Sequence, residues 1–188
     1  TDIKQILYDN LTLSNLTGQM EVVNQEIDMT NLQFDMLDGR VAMNGLYNTQ
    51  NPLEPLVNFY LDVQELSIPQ AFQAFATMQR IAPALEKVNG VVNTEFGIRG
   101  PLDRELMPKL NMLNGLGKFQ VLRGQLAGSK LLSAISDKTK LSNLSPIDLK
   151  DLQGSFRIED GYLIVSPLDL KAGNTTLTLG GRQSLAGA

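Results

Sequence analysis

The stretch Met29-Thr-Asn-Leu-Gln-Phe-Asp-Met-Leu-Asp-Gly-Arg-Val-Ala-Met43 carries the pattern that decides the fold. Its apolar residues alternate with polar ones on both sides of Asp38-Gly39: Leu32, Phe34 and Met36 come before it, and Val41 and Met43 follow it. Side chains two residues apart share one face of a strand. Asp-Gly supplies the positive φ angles of a tight hairpin turn. The stretch therefore predicts an antiparallel hairpin with one apolar face.

The same alternation extends outward from this hairpin over residues 1–66. Runs of strand type are Leu11 and Leu13; Met20 and Val22; Ile27 and Met29; and Val57, Phe59, Leu61 and Val63. Asn24-Gln25 is expected to turn one pair of strands. Strand patterns return in the last third of the chain, where Asp160-Gly161 gives the clearest hairpin signal. Both regions predict antiparallel meanders.

Helical spacing appears in two places between the strands. Ser67 and Gln70 form a capping-box pattern at the start of a helical block, residues 67–89. Pro83 is expected to kink or break this helix, and Asn89-Gly90 to end the block. A second short helix is expected near residues 129–140, within a strand-rich region that spans residues 90–188.

The order strands, helix, strands, helix, strands predicts the fold class. It argues against alternating βαβ units and favours a mainly β (α+β) fold. We expect a curved antiparallel sheet with an apolar inner face and two helices packed on it or at its end.

Composition excludes several kinds of function. The 188 residues include no Cys and no His, which removes thiolate nucleophiles, His-containing triads and the usual zinc ligand sets. The net charge of −4 gives no electrostatic basis for binding nucleic acid. No apolar run is long enough to span a membrane, and no signal peptide is visible. The start at Thr1 and the end at Ala188 suggest a fragment of a longer, anchored protein.

Candidate catalytic groups do not form a coherent set. The acidic pairs Asp35 and Asp38, Asp148 and Asp151, and Glu159 and Asp160 all lie beside predicted turns, where carboxylates usually serve turn geometry and solubility. No stretch matches a calcium loop or a phosphate-binding glycine loop. We expect no catalytic residues, no metal and no cofactor. A polysaccharide hydrolase would require two acids that face each other across a cleft.

The excess of apolar strand residues is the main functional signal. Two helices of this size cannot easily cover so many strands, so the apolar face is expected to close on itself, to pair with a neighbouring domain, or to form an open groove for acyl chains. The candidate groove residues are Leu32, Phe34, Met36, Phe59, Leu61, Phe96, Phe156 and Ile158.

Several ordered segments carry a resemblance to a known family. They are Ser67-Ile-Pro-Gln-Ala-Phe through Ile81-Ala-Pro83, Asn89-Gly90, Gly100-Pro-Leu-Asp-Arg-Glu-Leu-Met-Pro108, Leu113-Asn-Gly115-Leu-Gly117 and Phe156-Arg-Ile-Glu-Asp-Gly161. Together they resemble the C-terminal region of AsmA-family proteins of the bacterial cell envelope over most of the chain. Each segment consists of common residues, so the resemblance rests on their order and spacing.

The resemblance implies one AsmA-like domain over residues 1–188. It further implies an inner-membrane anchor upstream, a periplasmic location in a Gram-negative cell, and a role in outer-membrane assembly or phospholipid transport. Phospholipid or another acyl-chain ligand and other envelope proteins are the expected partners. The alternative is a structural or interaction module that holds no lipid and recruits envelope partners through its edge strands.

Overall fold

The computed structural model describes residues 2–8, 11–126, 147–172 and 175–185. The described residues form a mainly β fold, with one large, open antiparallel sheet and short helices, which confirms the predicted fold class. Its strands are β1 Asp2–Tyr8, β2 Leu11–Val23, β3 Glu26–Met36, β4 Gly39–Asn48, β5 Leu56–Ser67, β6 Val88–Pro101, β7 Asn114–Leu126, β8 Ile147–Asp148, β9 Gln153–Glu159, β10 Tyr162–Ala172 and β11 Thr175–Ser184.

The strand order follows the chain almost without exception. Neighbours run β1 to β7 and then β9, β10 and β11, while the two-residue β8 pairs with the end of β7. Every strand pair is antiparallel. The helical insertion between β5 and β6 comprises α1 Ile68–Ala74, α2 Ala76–Ile81 and a 3₁₀-helix, Pro83–Lys87.

Two-residue turns join several of these strands. Asn24-Gln25 and Asp160-Gly161 lie at the predicted places, and all four residues have positive φ. The turn of the central hairpin is Leu37-Asp38, with φ of 50° and 64°, so the predicted Asp38-Gly39 turn is wrong by one residue. Gly39 instead begins β4, where a Cβ atom would lie 2.6 Å from the carbonyl oxygen of Gln64. Glycine is therefore required at position 39, because the backbone of β5 lies too close to leave room for a side chain.

Bulges make several separately predicted runs into single strands. Met29 and Leu32 belong to the same strand, β3, although they are three residues apart, because the register shifts between them. Asn31 has a φ of 51° at this point, and its N–H donates to Oδ1 of Asn44 at 2.8 Å. The extra residue restores the alternation, so the apolar side chains on both sides of the bulge share one face.

Another bulge repeats this arrangement in β5. Its register shifts between Val63 and Leu66, where Glu65 has a φ of 56° and donates its N–H to Oδ1 of Asn93 at 2.8 Å. An asparagine on the neighbouring strand therefore satisfies the amide that the bulge displaces.

The helical block differs in detail from the sequence prediction. Ser67 is the N-cap of α1 but makes no side-chain capping bond, and Gln70 instead donates to a carboxylate oxygen of Asp38. The predicted break at Pro83 is present, because α2 ends at Ile81 and Pro83 begins the 3₁₀-helix. A further break, which the sequence does not predict, falls at Phe75 between α1 and α2. Asn89-Gly90 lies within β6 and does not end the block. The helix expected near residues 129–140 falls outside the described residues.

The core lies between the apolar face of the sheet and the helical insertion. Ala71 of α1 belongs to a buried cluster that includes Leu16 of β2, while Ile68 belongs to another that includes Leu170 of β10. In a flat sheet these strands, seven spacings apart, would be separated by roughly 34 Å at the usual spacing of about 4.8 Å between neighbours. Their association with one short helix is typical of a sheet that curves around it.

Large and small side chains alternate across the sheet at its centre. Gly117 of β7 lies between Phe96 of β6 and Phe156 of β9, whose ring centroids are 6.5 Å apart. A Cβ atom on Gly117 would lie 2.6 Å from Cζ of Phe156 and 2.6 Å from Cβ of Phe96. The absence of a side chain therefore allows the two rings to approach each other.

Replacing Gly117 by Ala should destabilise the protein by about 1–3 kcal/mol, because two phenylalanines must shift to admit the methyl group. Urea unfolding followed by circular dichroism would measure this change. Gly97→Ala is the matched control: it lies in the adjacent strand, and its Cβ would meet only a carbonyl oxygen, at 3.8 Å. Equal stability of the two variants would show that the close approach at Gly117 is unimportant.

Candidate functional site: the apolar face of the sheet

The eight candidate groove residues all lie on the same face of the sheet. Register places Leu32, Leu61, Phe96 and Phe156 in one row across the strands, with Met43 and Gly117 completing it. Phe34 and Met36 follow Leu32 at steps of two residues, Phe59 precedes Leu61, and Ile158 follows Phe156. The alternation therefore predicted a common face correctly, whereas the accessibility of that face depends on what covers it.

The helical insertion covers the middle of this face. Leu32, Phe34 and Ile158 are buried, and the other five candidates are half-buried. Phe75 and Met78 pack against the cluster that contains Phe34 and Val41. Ile81, the last residue of α2, packs against the cluster that contains Ile158. The central candidates thus form part of the hydrophobic core in this arrangement.

The covering loop between β6 and β7 closes a second part of the face. Leu110 and Leu113 of this loop are buried in one cluster with Ile158 and Leu185. The N–H of Leu102 donates to the carbonyl oxygen of Pro55 at 2.7 Å, which fixes the start of the loop to the start of β5. The helical insertion therefore covers the centre of the apolar face, and the β6–β7 loop covers the part next to β6 to β9.

The apolar face continues beyond these covers at the ends of β2 to β5. Met20, Met29 and Phe59 follow one another across the strands, with Gly45 between the last two. The adjoining row contains Val22, Ile27 and Tyr47. We name these six residues the apolar strip. Met20 is 43% exposed and Val22 70% exposed, while the other four are half-buried.

Phe59 is the candidate groove residue that lies within the apolar strip. The sequence pattern assigns Met20 and Val22 to strands but does not include them among the candidate site residues. The available signal was the alternation on both sides of the Asn24-Gln25 turn, which places Val22 opposite Ile27 and Met20 opposite Met29. Their exposure could not be read from that pattern, because it depends on where the helical insertion stops.

The opposite face of the sheet is polar and carries exposed ion pairs. The Tyr60 hydroxyl donates to Glu95 at 3.1 Å, and Lys118 Nζ lies 3.2 Å from the other carboxylate oxygen of Glu95. The hydrogen bonds from Lys118 and Tyr60 lower the pKa of the Glu95 carboxyl below its usual value. The hydrogen bond to Glu95 raises the pKa of the Tyr60 hydroxyl. This arrangement favours an ionised glutamate and a protonated tyrosine.

The acidic pairs noted in the sequence have structural partners. Asp35 accepts hydrogen bonds from Asn15 at 2.7 Å and from Arg40 at 3.2 Å, which lower the pKa of its carboxyl. Glu159 pairs with Arg157 at 2.7 Å. Asp148 accepts a bond from the N–H of Lys150 at 2.8 Å. A general acid needs a raised pKa at neutral pH, and Asp35 has the opposite shift.

A surface depression of about 650 Å³ lies beside Asp35 at the other end of the sheet. Its lining includes Asp38, Arg40 and Glu65, and its walls are mainly polar. Among the described residues, no group of three or more His, Cys, Asp or Glu side chains is arranged to hold a metal ion. The depression therefore offers neither an apolar pocket nor a set of metal ligands.

In the part of the chain that the structure describes, no helix is both long enough and apolar enough to cross a membrane.

Comparison with known proteins gives no assignment. No protein-family model matches the chain, no curated protein matches it, and no solved structure matches it. The covered apolar face, the exposed apolar strip and the polar opposite face are therefore the features from which a function is inferred.

The Glu95 interactions predict a small contribution to stability at low pH. Because the folded pKa of Glu95 is lowered, its contribution is present above the unfolded pKa of about 4.5 and is lost as pH falls through the folded value. Glu95→Gln should therefore flatten the decline in unfolding free energy below about pH 4.5. Urea unfolding between pH 3 and pH 7 would measure this effect. An unchanged slope would contradict it, and Glu105→Gln, on a loop, is the control.

Proposed function

We propose that this chain is a non-catalytic periplasmic segment of an AsmA-like envelope protein that holds acyl chains on the apolar face of its sheet. In the longer protein this segment is anchored to the inner membrane and takes part in outer-membrane assembly or in phospholipid transport between the envelope membranes. The observation that carries the proposal is the apolar strip, where the apolar face of the sheet extends beyond the helical insertion and the β6–β7 loop and becomes exposed to solvent.

The composition of the apolar strip suits an acyl chain. Met20 and Met29 are flexible side chains that adapt to irregular ligands, and Phe59 adds a large flat surface beside them. Each methylene that leaves water contributes about 0.8 kcal/mol, so five seated methylenes contribute about 4 kcal/mol. No charged side chain belongs to the strip, so an acyl chain would meet no unpaired charge there.

The helical insertion supplies the second support for this proposal. Phe75, Met78 and Ile81 already place apolar side chains against the same face that an acyl chain would occupy. In α2 none of the residues is fully buried, so it contributes less to the core than α1, in which Ile68 and Ala71 are buried. An acyl chain on the strip would meet α2 as its neighbour at the centre of the face.

Replacing both Met20 and Met29 by Glu should reduce phospholipid content by roughly tenfold or more, since two carboxylates would face the seated chain. Native mass spectrometry of the purified protein, followed by organic extraction, would measure the bound lipid. The control is the double variant Leu7→Glu and Leu116→Glu, which adds the same charge at exposed positions outside the strip. Full lipid content in the folded strip variant would contradict the proposal.

The second candidate is a structural or interaction module that recruits envelope proteins by strand addition. The observation that favours it is the open sheet, in which β1 pairs with β2 on one side and β11 pairs with β10 on one side among the described strands. An unpaired strand edge offers N–H and C=O groups to an added strand. A lipid-free mass in every preparation would favour this candidate over the acyl-chain function.

A further inference from the structure

One end of the sheet concentrates exposed aliphatic side chains. We name this end the loop rim: it consists of the Asn24-Gln25 turn, the loops at residues 49–55 and 102–113, the Asp160-Gly161 turn, and the strand residues that adjoin them. In a meander these connections alternate with those at the other end, so they lie together. Most of the exposed large apolar side chains among the described residues lie here: Val22, Val23, Leu53, Leu56, Leu106 and Met112.

The loops of the rim are fastened to one another. The N–H of Thr49 donates to the carbonyl oxygen of Gln25 at 2.8 Å, which joins the first loop to the first turn. Lys109 Nζ lies 2.6 Å from Glu54 Oε1, which joins the two long loops. These contacts connect the loops of the rim, so their aliphatic side chains can contact the same surface at the same time.

Leu106 is held outward by a local backbone arrangement. Its φ is 62°, a value that a leucine rarely adopts. The Asp103 carboxylate accepts hydrogen bonds from the N–H groups of Glu105 and Met107, both at 2.9 Å. These bonds stabilise the turn in which the side chain of Leu106 is 50% exposed.

The side chains of the rim favour a lipid surface over a protein as its binding partner. Its exposed apolar residues are aliphatic side chains and one thioether, separated by amides such as Asn24, Gln25 and Asn51. The centres of protein interfaces are instead enriched in aromatic residues and arginine. Separate aliphatic side chains among amides suit the boundary between lipid headgroups and acyl chains. There the aliphatic side chains contact acyl chains, and the amides form hydrogen bonds with headgroups and water.

Charge narrows the kind of lipid surface. Acidic side chains outnumber basic ones at the rim: Glu26, Glu54, Asp103, Glu105 and Asp160 against Arg104 and Lys109. Lys109 is engaged by Glu54. An anionic membrane would therefore repel the rim, whereas a zwitterionic surface would not.

We propose that the loop rim is a membrane-contact surface that inserts Val22, Val23, Leu53, Leu56, Leu106 and Met112 shallowly into a zwitterionic lipid surface. The rim adjoins the apolar strip at Val22, which belongs to both surfaces, whereas the other five inserting residues lie outside the strip. The variants that test the membrane contact alter only residues outside the strip, so the contact and acyl-chain binding are tested independently. The contact orients the sheet with its β2–β3 and β4–β5 turns toward the membrane.

Flotation of the full chain with vesicles tests this surface directly. The protein should float with phosphatidylcholine and phosphatidylethanolamine vesicles. It should float less with vesicles that contain phosphatidylglycerol at low salt, and added salt should restore flotation because it screens the repulsion. The double variant Leu53→Asp and Leu106→Asp should lower the partition coefficient by roughly tenfold or more.

The matched control for Leu53→Asp is the single variant Leu7→Asp, which adds the same charge at a side chain of greater exposure; Leu7 pairs with Thr12, at the end of the sheet opposite the rim. It should float like the unaltered chain. Leu106→Gly removes the side chain at a positive φ that glycine adopts readily, so reduced flotation of this variant would reflect the lost side chain and not a disturbed fold.

Three results would overturn the proposal: no flotation of the unaltered chain, flotation with anionic vesicles alone, or equal losses in the rim and control variants. Extraction of bound lipid from the same preparations separates this outcome from the acyl-chain function. If the chain retains phospholipid but does not float, the acyl-chain function stands and the membrane-contact proposal is wrong.

Discussion

The structure depends on the alternation of side chains between the two faces of each strand. Successive side chains of a strand point to opposite faces, so a shift of one residue would move every later apolar side chain from the core to the solvent. At Met29 and Leu32, and again at Val63 and Leu66, apolar residues are three apart. The bulges at these points add one residue and keep both members of each pair on the same face.

The continuous apolar face that results creates the central physical problem of this molecule. A sheet of this width has more apolar surface than a few short helices can cover. Among the described residues, the helical insertion after β5 and the loop between β6 and β7 cover parts of this face, and both leave the ends of β2 to β5 exposed. The same surface thus provides stability at the centre and a place for an apolar ligand at the edge of the cover.

The two faces of the sheet have different electrostatic characters. The polar face holds exposed groups such as Tyr60, Glu95 and Lys118, whose hydrogen bonds contribute little to stability in water. The apolar strip contains no charged side chain. Because of this separation, a ligand on the apolar strip would meet uncharged and mostly apolar side chains, while the opposite face keeps the molecule hydrated.

Sequence alone determined most of the longer strands, the turns at Asn24-Gln25 and Asp160-Gly161, and the common face of Leu32, Phe59 and Phe156, because alternation and turn chemistry are local properties. The joining of runs across Asn31 could not be predicted, since the bulge is stabilised by Asn44 on another strand. The break at Phe75 and the exposure of Met20 were likewise decided by tertiary structure. Each depends on which apolar surfaces meet after folding, and contacts between residues far apart in the chain leave no periodic pattern in the sequence.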